Sequence, residues 1–485
     1  MTRTSPINLF VFLVLLKTTA AISQPLTLDK LFSLLQDHPL LQSEALGPQV
    51  EQYNQDVALS AKNWRVRANQ TYYYSQPVTS TTFSASEIQQ VAFTGSVKKA
   101  FWATGGRLSL QWSSDLTQQE FPTLRFPGPG GGSSFNLGLD RLYKNSLRLT
   151  YSQPLWQNYG GTLDRLDYEL SQYSIQTSRL RSLENQEEFY LRVGQAFIDW
   201  SLLSEQRDIV QERLQLAREE LQLVRDKRAN FLVDSVDVLR AQDAVRIVRQ
   251  NVLLLESQYR ATRTRLVQLT EQPQIRNMQP EFALYDTVNV PLAETVYKQL
   301  KDSSRVLREL QQQHQRLQRL MESFQERQDP QLDFQVNAGF VGGNGQFDQA
   351  LDITQPDIRL SLNFLYPLGT RASALNAQKT ELQLRQLSLQ QSNLFLNLKA
   401  RLADLLVQLE DLKAILRLNR EQIQSAETLL QEEQRMYNQG RGQLRFVLQS
   451  RDNIQNARLT LAENAANYHR LVLQYREITD QLIQE

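Results

Sequence analysis

The sequence predicts an α+β chain built as two structural repeats, each a few β-strands followed by a long antiparallel helical hairpin. Three observations carry this. The segment SVDVLRAQDAV around Val238 returns as LRFVLQSRDNI around Val447, so that Val238, Leu239 and Asp243 fall on Val447, Leu448 and Asp452 at an offset of 209 (447 − 238). Apolar residues recur every seven positions over many turns. Short alternating segments ending in proline precede both helical runs.

The seven-residue series hold one register in both repeats: Val238, Val245, Val252, Tyr259 and Leu266 fall on Val447, Ile454, Leu461, Tyr468 and Tyr475, with Leu482 extending the second. A period of seven kept this long puts one stripe along a helix and favours left-handed coiled-coil packing. The partner helix precedes each return helix. Leu402, Leu409, Leu416, Ile423, Leu430 and Tyr437 form its stripe in the second repeat. The run from Thr370 to Asn438 is expected as one helix of roughly 100 Å at about 1.5 Å per residue. It stops before a turn at Gly440, Arg441 and Gly442, whose glycines tolerate positive φ. The first repeat has the same layout from Thr162 to about Arg228, a break at Ala229, Asn230 and Phe231, and a return helix from Asp234 to about Leu269. Among the break residues Asn230 most readily accepts a left-handed backbone, so it is expected to make the turn.

Each long helix follows a parallel signal, YSQPLWQNYGGT or LNFLYPLGT, in which Pro154 and Pro367 end a strand and glycine then threonine starts the helix. Upstream, Leu147, Leu149 and Tyr151 alternate with Arg148, Thr150 and Ser152, and Ile358, Leu360, Leu362 and Phe364 alternate with Arg359, Ser361 and Asn363. A lipid-facing barrel strand and a strand of a soluble sandwich show this alternation equally. Further strands are expected at Leu332 to Phe340 and Val66 to Tyr74. The first repeat also inserts a hairpin, near Val91 to Lys98 and Arg107 to Ser113 with its turn at Thr104-Gly105-Gly106, and the loop FPGPGGGSS.

Arg3, the apolar run Leu9 to Leu16 and a polar stretch ending Ala21-Ile22-Ser23 have the order of a secretory signal. The domain plan is therefore a signal peptide at 1–23, a first repeat at 24–273 with an enlarged insertion at 75–145 and a helical hairpin at 162–270, and a second repeat at 274–485 with strands at 331–366 and a hairpin at 370–485. Cysteine is absent, which removes disulfides and thiol chemistry. Lysine plus arginine (53) nearly cancels aspartate plus glutamate (52), so no field would draw nucleic acid. No later segment is long and apolar enough for a transmembrane helix, so any membrane span must be a β-barrel. About four strands per chain cannot close one alone, and several chains would have to share it.

At this point the residues match a known pattern. The chain resembles the TolC family of outer-membrane efflux proteins along nearly its whole mature length: the opening LTLDKLFSLLQDHPLLQSEAL, the strand-to-helix elements YSQPL and LNFLYPLG, and the Val-Leu followed by a polar helix after each tip. The resemblance implies a homotrimer in the bacterial outer membrane, extending into the periplasm. A shared twelve-stranded barrel would be continued by a long α-helical coiled-coil periplasmic barrel. It implies a passive exit duct of a tripartite efflux or type I secretion system, partnered by a periplasmic adaptor, an inner-membrane transporter (RND, ABC or similar) and outer-membrane lipid. The tips at Ala229, Asn230, Phe231, Gly440, Arg441 and Gly442 match the family's adaptor-docking positions, and the helix starts at Asp234 to Leu239 and Leu444 to Gln449 match its periplasmic aperture. Within these lie Asp234, Asp237, Arg240, Arg445, Phe446 and Gln449. Phe446 and Gln449 flank the second Val-Leu where many members carry acids, so an aperture narrowed by aromatic and amide groups is expected. The first tip also lacks the family's glycine.

The three histidines, His38, His314 and His469, lack metal-site spacing, and the glycine runs at 128–132 and 342–345 lack the lysine of a phosphate loop. Carboxylates fall among basic residues three or four positions away on helix faces, as solvated pairs do. No cofactor and no enzymatic activity are expected. The competing reading is a periplasmic coiled-coil structural or adaptor protein without a membrane barrel.

Overall fold

The computed structural model describes residues 24–78, 84–121, 124–126, 133–135, 141–289, 293–366, 368 and 372–483. The expected signal peptide, Pro367 and the helix start at Thr370 lie outside them. Six strands form the large sheet: β1 (Arg65–Ser75), β2 (Glu87–Phe101), β3 (Gly106–Glu120), β4 (Arg141–Pro154), β5 (Gln331–Asn344) and β6 (Gln355–Leu365). Four long helices complete the frame: α1 (Leu166–Ala229), α2 (Ser235–Thr270), α3 (Ala372–Asn438) and α4 (Leu444–Ile478). Neither α1 nor α3 contains a proline, and both are rich in leucine, glutamine, glutamate and arginine, which lose little freedom in a helix.

The chain divides into two compact units that cut across the repeats. One comprises residues up to 44, 185–304 and 398–485, and the other 45–184 and 305–397. The second unit holds the sheet, in which strands adjacent in sequence are adjacent in space, in the order β6-β5-β4-β3-β2-β1, with every neighbouring pair antiparallel. The sheet is larger than the share of about four strands expected. The inserted hairpin is part of it, because β2 and β3 pair along fifteen residues each and β3 is also laddered to β4.

In the other unit, strand Gln24–Leu26 pairs in parallel with Met278–Pro280, and the segment after it packs Leu31 and Leu35 onto Phe189, Val193, Phe197 and Trp200 of α1 and Tyr259 and Leu266 of α2. Each fully buried side chain of this kind contributes roughly 1.5–3 kcal/mol. The seven-residue stripe is buried throughout α4, at Val447, Ile454, Leu461, Tyr468 and Tyr475. In α2 it is buried from Val252 onward, at Tyr259 and Leu266. Leu402, Leu409 and Leu416 of α3 are likewise buried.

The duplication extends to the ends of the return helices. Thr270 Oγ1 donates to Leu266 O and Thr479 Oγ1 to Tyr475 O, both at 2.8 Å, and the next residues, Glu271 and Asp480, take left-handed φ of 54° and 57°. Each of these pairs differs by 209 in number.

Candidate functional site

The register of the sheet sorts its side chains onto two faces. One face carries Ile358, Leu360, Leu362 and Phe364 of β6; Phe334, Val336 and Phe340 of β5; Leu147, Leu149 and Tyr151 of β4; Leu108, Leu110 and Trp112 of β3; Val91, Phe93 and Val97 of β2; and Val66, Tyr72 and Tyr74 of β1. Much of it is uncovered, with Leu360 65% and Val66 79% exposed. The other face is polar and bonded within itself. Arg148 reaches across Gly339 to Asp357 at 3.1 Å, Thr150 donates to Asn337 at 2.7 Å, and Ser113 meets Ser146 at 2.7 Å. An apolar band outside and hydrogen-bonding groups inside suit a membrane barrel. A soluble sandwich would cover the whole apolar face, whereas among the described residues Phe347 and Ala350 cover only its end, at Tyr143 and Asn145.

Pro154 closes β4 opposite Asp333, and the backbone N–H of Leu155 donates to Leu332 O at 2.7 Å. Beyond it the chain turns into α1 through Asn158 and Gly161, which touch the inner turn of the inserted hairpin. A Cβ on Gly161 (φ 69°) would stand 2.1 Å from the Trp102 carbonyl oxygen, and one on Gly105 (φ 74°) 2.4 Å from that of Asn158. Arg165 Nη1 donates to both Trp102 O (3.3 Å) and Gly160 O (3.0 Å), and Arg107 pairs with Asp164 at 2.9 Å. Two backbones meet here with no room for a side chain, which is why both positions are glycine. Pro367, the corresponding junction residue, lies outside the described residues.

The hairpin tips lie in the other unit. At the first, Phe231 N–H donates to Arg228 O (3.0 Å) and Leu232 N–H to Lys227 O (2.9 Å), the paired bonds of a Schellman stop. The left-handed residue is Phe231 (φ 57°) and not Asn230, a correction with a local cause. Asn230 uses its backbone N–H (3.2 Å) and Nδ2 (2.9 Å) on Asp226 O, which keeps it in the last helical turn with Ala229. The phenyl ring is then 89% exposed. At the second tip Gly440 (φ 72°) occupies the equivalent place, with its N–H on Tyr437 O (3.0 Å) and that of Arg441 on Met436 O (3.0 Å). Gly442 also donates to Met436 O, at 3.1 Å.

Below the tips a cavity of about 790 Å³ brings Asp237, Arg240, Arg445, Gly440 and Gly442 together with Leu232 and Tyr437. The remaining expected residues stand apart from it. Asp234 caps α2 without a side-chain bond, Phe446 is half-exposed with the Arg445 guanidinium 4.7 Å from its ring centre, and Gln449 donates to Asn453 at 3.1 Å.

What the sequence reading missed are the ion pairs that tie α4 to α1: Arg213–Asp452 at 2.7 Å, Arg451–Glu220 at 3.5 Å, Arg458–Glu212 at 3.1 Å and Arg470–Asp199 at 2.6 Å. Arg458 also holds Glu427 of α3 at 3.1 Å, and Lys227 sits 3.9 Å over the Tyr437 ring. Glu220 is only 6% exposed, and its Oε1 has no hydrogen-bond partner among the described residues. Burial pushes its carboxyl above the usual carboxylate range, against the pull of Arg451 and Lys227. Asp452 was visible as the repeat mate of Asp243. Its partner, 239 residues away, was not.

Among the histidines, His469 is buried and bonds Leu284 O at 3.0 Å, and His38 Nδ1 accepts the Leu40 N–H at 3.2 Å, both packing roles. Glu187 is no solvated carboxylate: it is buried and accepts the Leu482 N–H at 2.9 Å. No helix of the described residues is long and apolar enough to cross a membrane.

Residues 113–271, from β3 through β4, α1 and α2, match the model of the outer membrane efflux protein family. This stretch of the chain is similar to that family. No curated protein matches the chain by sequence. In structure it is similar to the outer membrane protein VceC of Vibrio cholerae (TM-score 0.65, 13% identity, covering 93% of this chain and 95% of that one). It is also similar to the CmeC outer membrane channel of Campylobacter jejuni (TM-score 0.64, 12% identity, 94% and 86%). The open-state MtrE outer membrane channel of Neisseria gonorrhoeae gives a TM-score of 0.63 at 12% identity, over 94% and 89%. At such identities the likeness establishes the fold.

Proposed function

We propose that this protein is a passive homotrimeric exit duct of the outer membrane. It would serve a tripartite efflux or type I secretion system with a periplasmic adaptor and an inner-membrane transporter. The observation that carries this is the sheet: one face apolar and uncovered, the other lined with bonded polar groups, and both edges open. Unpaired strand edges are not tolerated in hydrocarbon, so the sheet requires further copies of the chain. The same feature disfavours the competing reading, because a periplasmic coiled-coil protein has no use for an uncovered apolar sheet face.

The finer assignments belong to the same proposal. Residues 1–23 act as a cleaved export signal, and the repeats divide near residue 273. Ala229, Asn230, Phe231, Gly440, Arg441 and Gly442 form the adaptor-docking tips. Asp234, Asp237, Arg240, Arg445, Phe446 and Gln449 line the aperture, narrowed by the Phe446 ring and the Gln449 amide. The α1–α4 ion pairs hold the second return helix against the first hairpin, and separating them opens the passage. Substrate movement is driven elsewhere, since a duct needs only a continuous aqueous path.

Cell fractionation tests the reading. The protein is expected in outer membranes, released only by detergent, and running as a trimer that dissociates on heating. A soluble monomer in the periplasmic fraction would overturn it. Millimolar divalent cations are expected to leave the conductance of the purified trimer largely unchanged, and strong closure would instead point to a carboxylate ring at the aperture.

A further inference from the structure

Resting on the trimeric-duct reading, we propose that β1 of one protomer pairs with β6 of the next, so that three chains close a single barrel of eighteen strands rather than twelve. The count is six strands in each of three chains.

The inserted hairpin cannot be set aside as an extramembrane arm. β2 is laddered to β1 over eleven residue pairs and to β3 over fifteen, and β3 continues onto β4 over twelve. Its inner turn is locked by backbone contact to the junction that starts α1, through Gly105 and Gly161. Removing it from the barrel would break two full ladders and open two new edges in hydrocarbon, one on β1 and one on β4.

Cyclic closure then follows from direction and parity. In a meander of six antiparallel strands the first and last run in opposite directions. Rotation about a barrel axis preserves each strand's direction, so β1 of one copy meets β6 of the next as an antiparallel pair. An odd number of strands would have failed this. The two edge strands have equal lengths of eleven residues. Their faces also agree: Val66, Tyr72 and Tyr74 of β1 lie on the face that carries Ile358, Leu360, Leu362 and Phe364 of β6, so the apolar band continues across the seam. A two-fold pairing of β1 with β1 would satisfy that edge too, but would send the two copies' helices to opposite sides of the membrane.

The chain that follows β6 carries a second uncovered row. Leu375, Leu382, Leu389 and Leu396 of α3 are spaced by seven and are 55–68% exposed, a coiled-coil stripe with no partner among the described residues. A copy docked at the β6 edge supplies helices to cover it. With strands about 4.8 Å apart and tilted about 40°, eighteen strands give a backbone diameter of about 36 Å, where twelve give about 24 Å.

Because the chain has no cysteine, introduced pairs report the seam directly. One cysteine replaces Arg67, Asn69 or Thr71 on the polar face of β1 and another replaces Arg359, Ser361 or Asn363 on the polar face of β6, in all combinations, in the full-length protein in outer membranes. Mild oxidation is expected to give covalent dimers and trimers, lost on reduction, for at least one combination. Thr94→Cys with Ser113→Cys, directly opposite within one chain, is expected to close as a positive control. Electron cryomicroscopy of the detergent-extracted trimer is expected to show eighteen strands. A trimer in which the control closes but no edge combination does, or whose barrel has twelve strands, overturns the seam and leaves the duct standing. A soluble monomer overturns both.

Discussion

At the first hairpin tip the left-handed position that ends the outgoing helix is held by Phe231 at φ 57°, and at the second, 209 residues later, by Gly440 at φ 72°. The two hydrogen bonds that close each stop are the same, so its backbone is a shared inheritance while the side chain is not. A phenylalanine there carries the steric cost of a Cβ in the left-handed region, about 1–2 kcal/mol, for no burial in return. An exposed aromatic kept at that cost is what a docking surface would use. The return helices diverge in the same way. Asp243 bonds locally to Arg246, whereas its mate Asp452 reaches Arg213 on the other hairpin. The first repeat also owns four of the six strands. Duplication supplied the frame, and the copies differ in strand number, in the residue at the tip and in the ion pairs of the return helix.

The largest effect is expected where the enlarged first repeat is tied to its helix. Gly161→Ala places a methyl 2.1 Å from the Trp102 carbonyl oxygen, and on the order of 3 kcal/mol should be lost. This is measured as a lower temperature for dissociation of the trimer. An unchanged dissociation temperature would mean the hairpin turn is not anchored there.

The latch comes next. Partly exposed ion pairs contribute about 0.2–1 kcal/mol each, so Arg213→Ala with Arg451→Ala should shift the closed–open balance by about 0.4–2 kcal/mol. Conductance of the purified trimer should then rise several-fold. Asp243→Ala with Arg246→Ala, the counterpart in the first return helix, should leave it unchanged. Equal effects from both would erase the asymmetry.

Exchanging the tip residues should give smaller, opposite results. Phe231→Gly should stabilise the tip by up to about 1 kcal/mol, and Gly440→Phe destabilise it by about as much. Hydrogen exchange at the two tips reads both. On the docking reading Phe231→Gly also weakens adaptor capture, although the tip is more stable.

The smallest effect concerns pH. Burial raises Glu220 above its ordinary value near 4.5, and opening would hydrate it and return it toward that value. The closed state therefore binds the proton more tightly. Its advantage is present in acid and lost as pH rises through the raised value, so conductance should increase as pH rises above the ordinary carboxylate range, and Glu220→Gln should flatten that slope. A slope of the opposite sign would assign the pH response to other groups.

The helical frame was legible in the sequence because a seven-residue stripe must be buried: Val447 through Tyr475 and Leu402 through Leu416 are buried as read. The strands were legible through alternation, and the inserted hairpin through Thr104-Gly105-Gly106. Its membership in the same sheet was not legible, because pairing partners are not written in a strand's own pattern. The turn at Phe231 was misjudged since intrinsic tolerance favours asparagine, while the Asn230 side chain had a better use on the Asp226 carbonyl. The ion pairs from α1 to α4 join residues more than 230 positions apart, and nothing local marks which of many charges will meet.

The central claim is a passive membrane duct made of several copies. Its most direct test is reconstitution of the detergent-extracted trimer in lipid vesicles loaded with small charged dyes. The account predicts leakage without nucleotide or ion gradient, faster when Arg213 and Arg451 are both alanine. Vesicles that stay sealed with that double variant inserted as a trimer would contradict it.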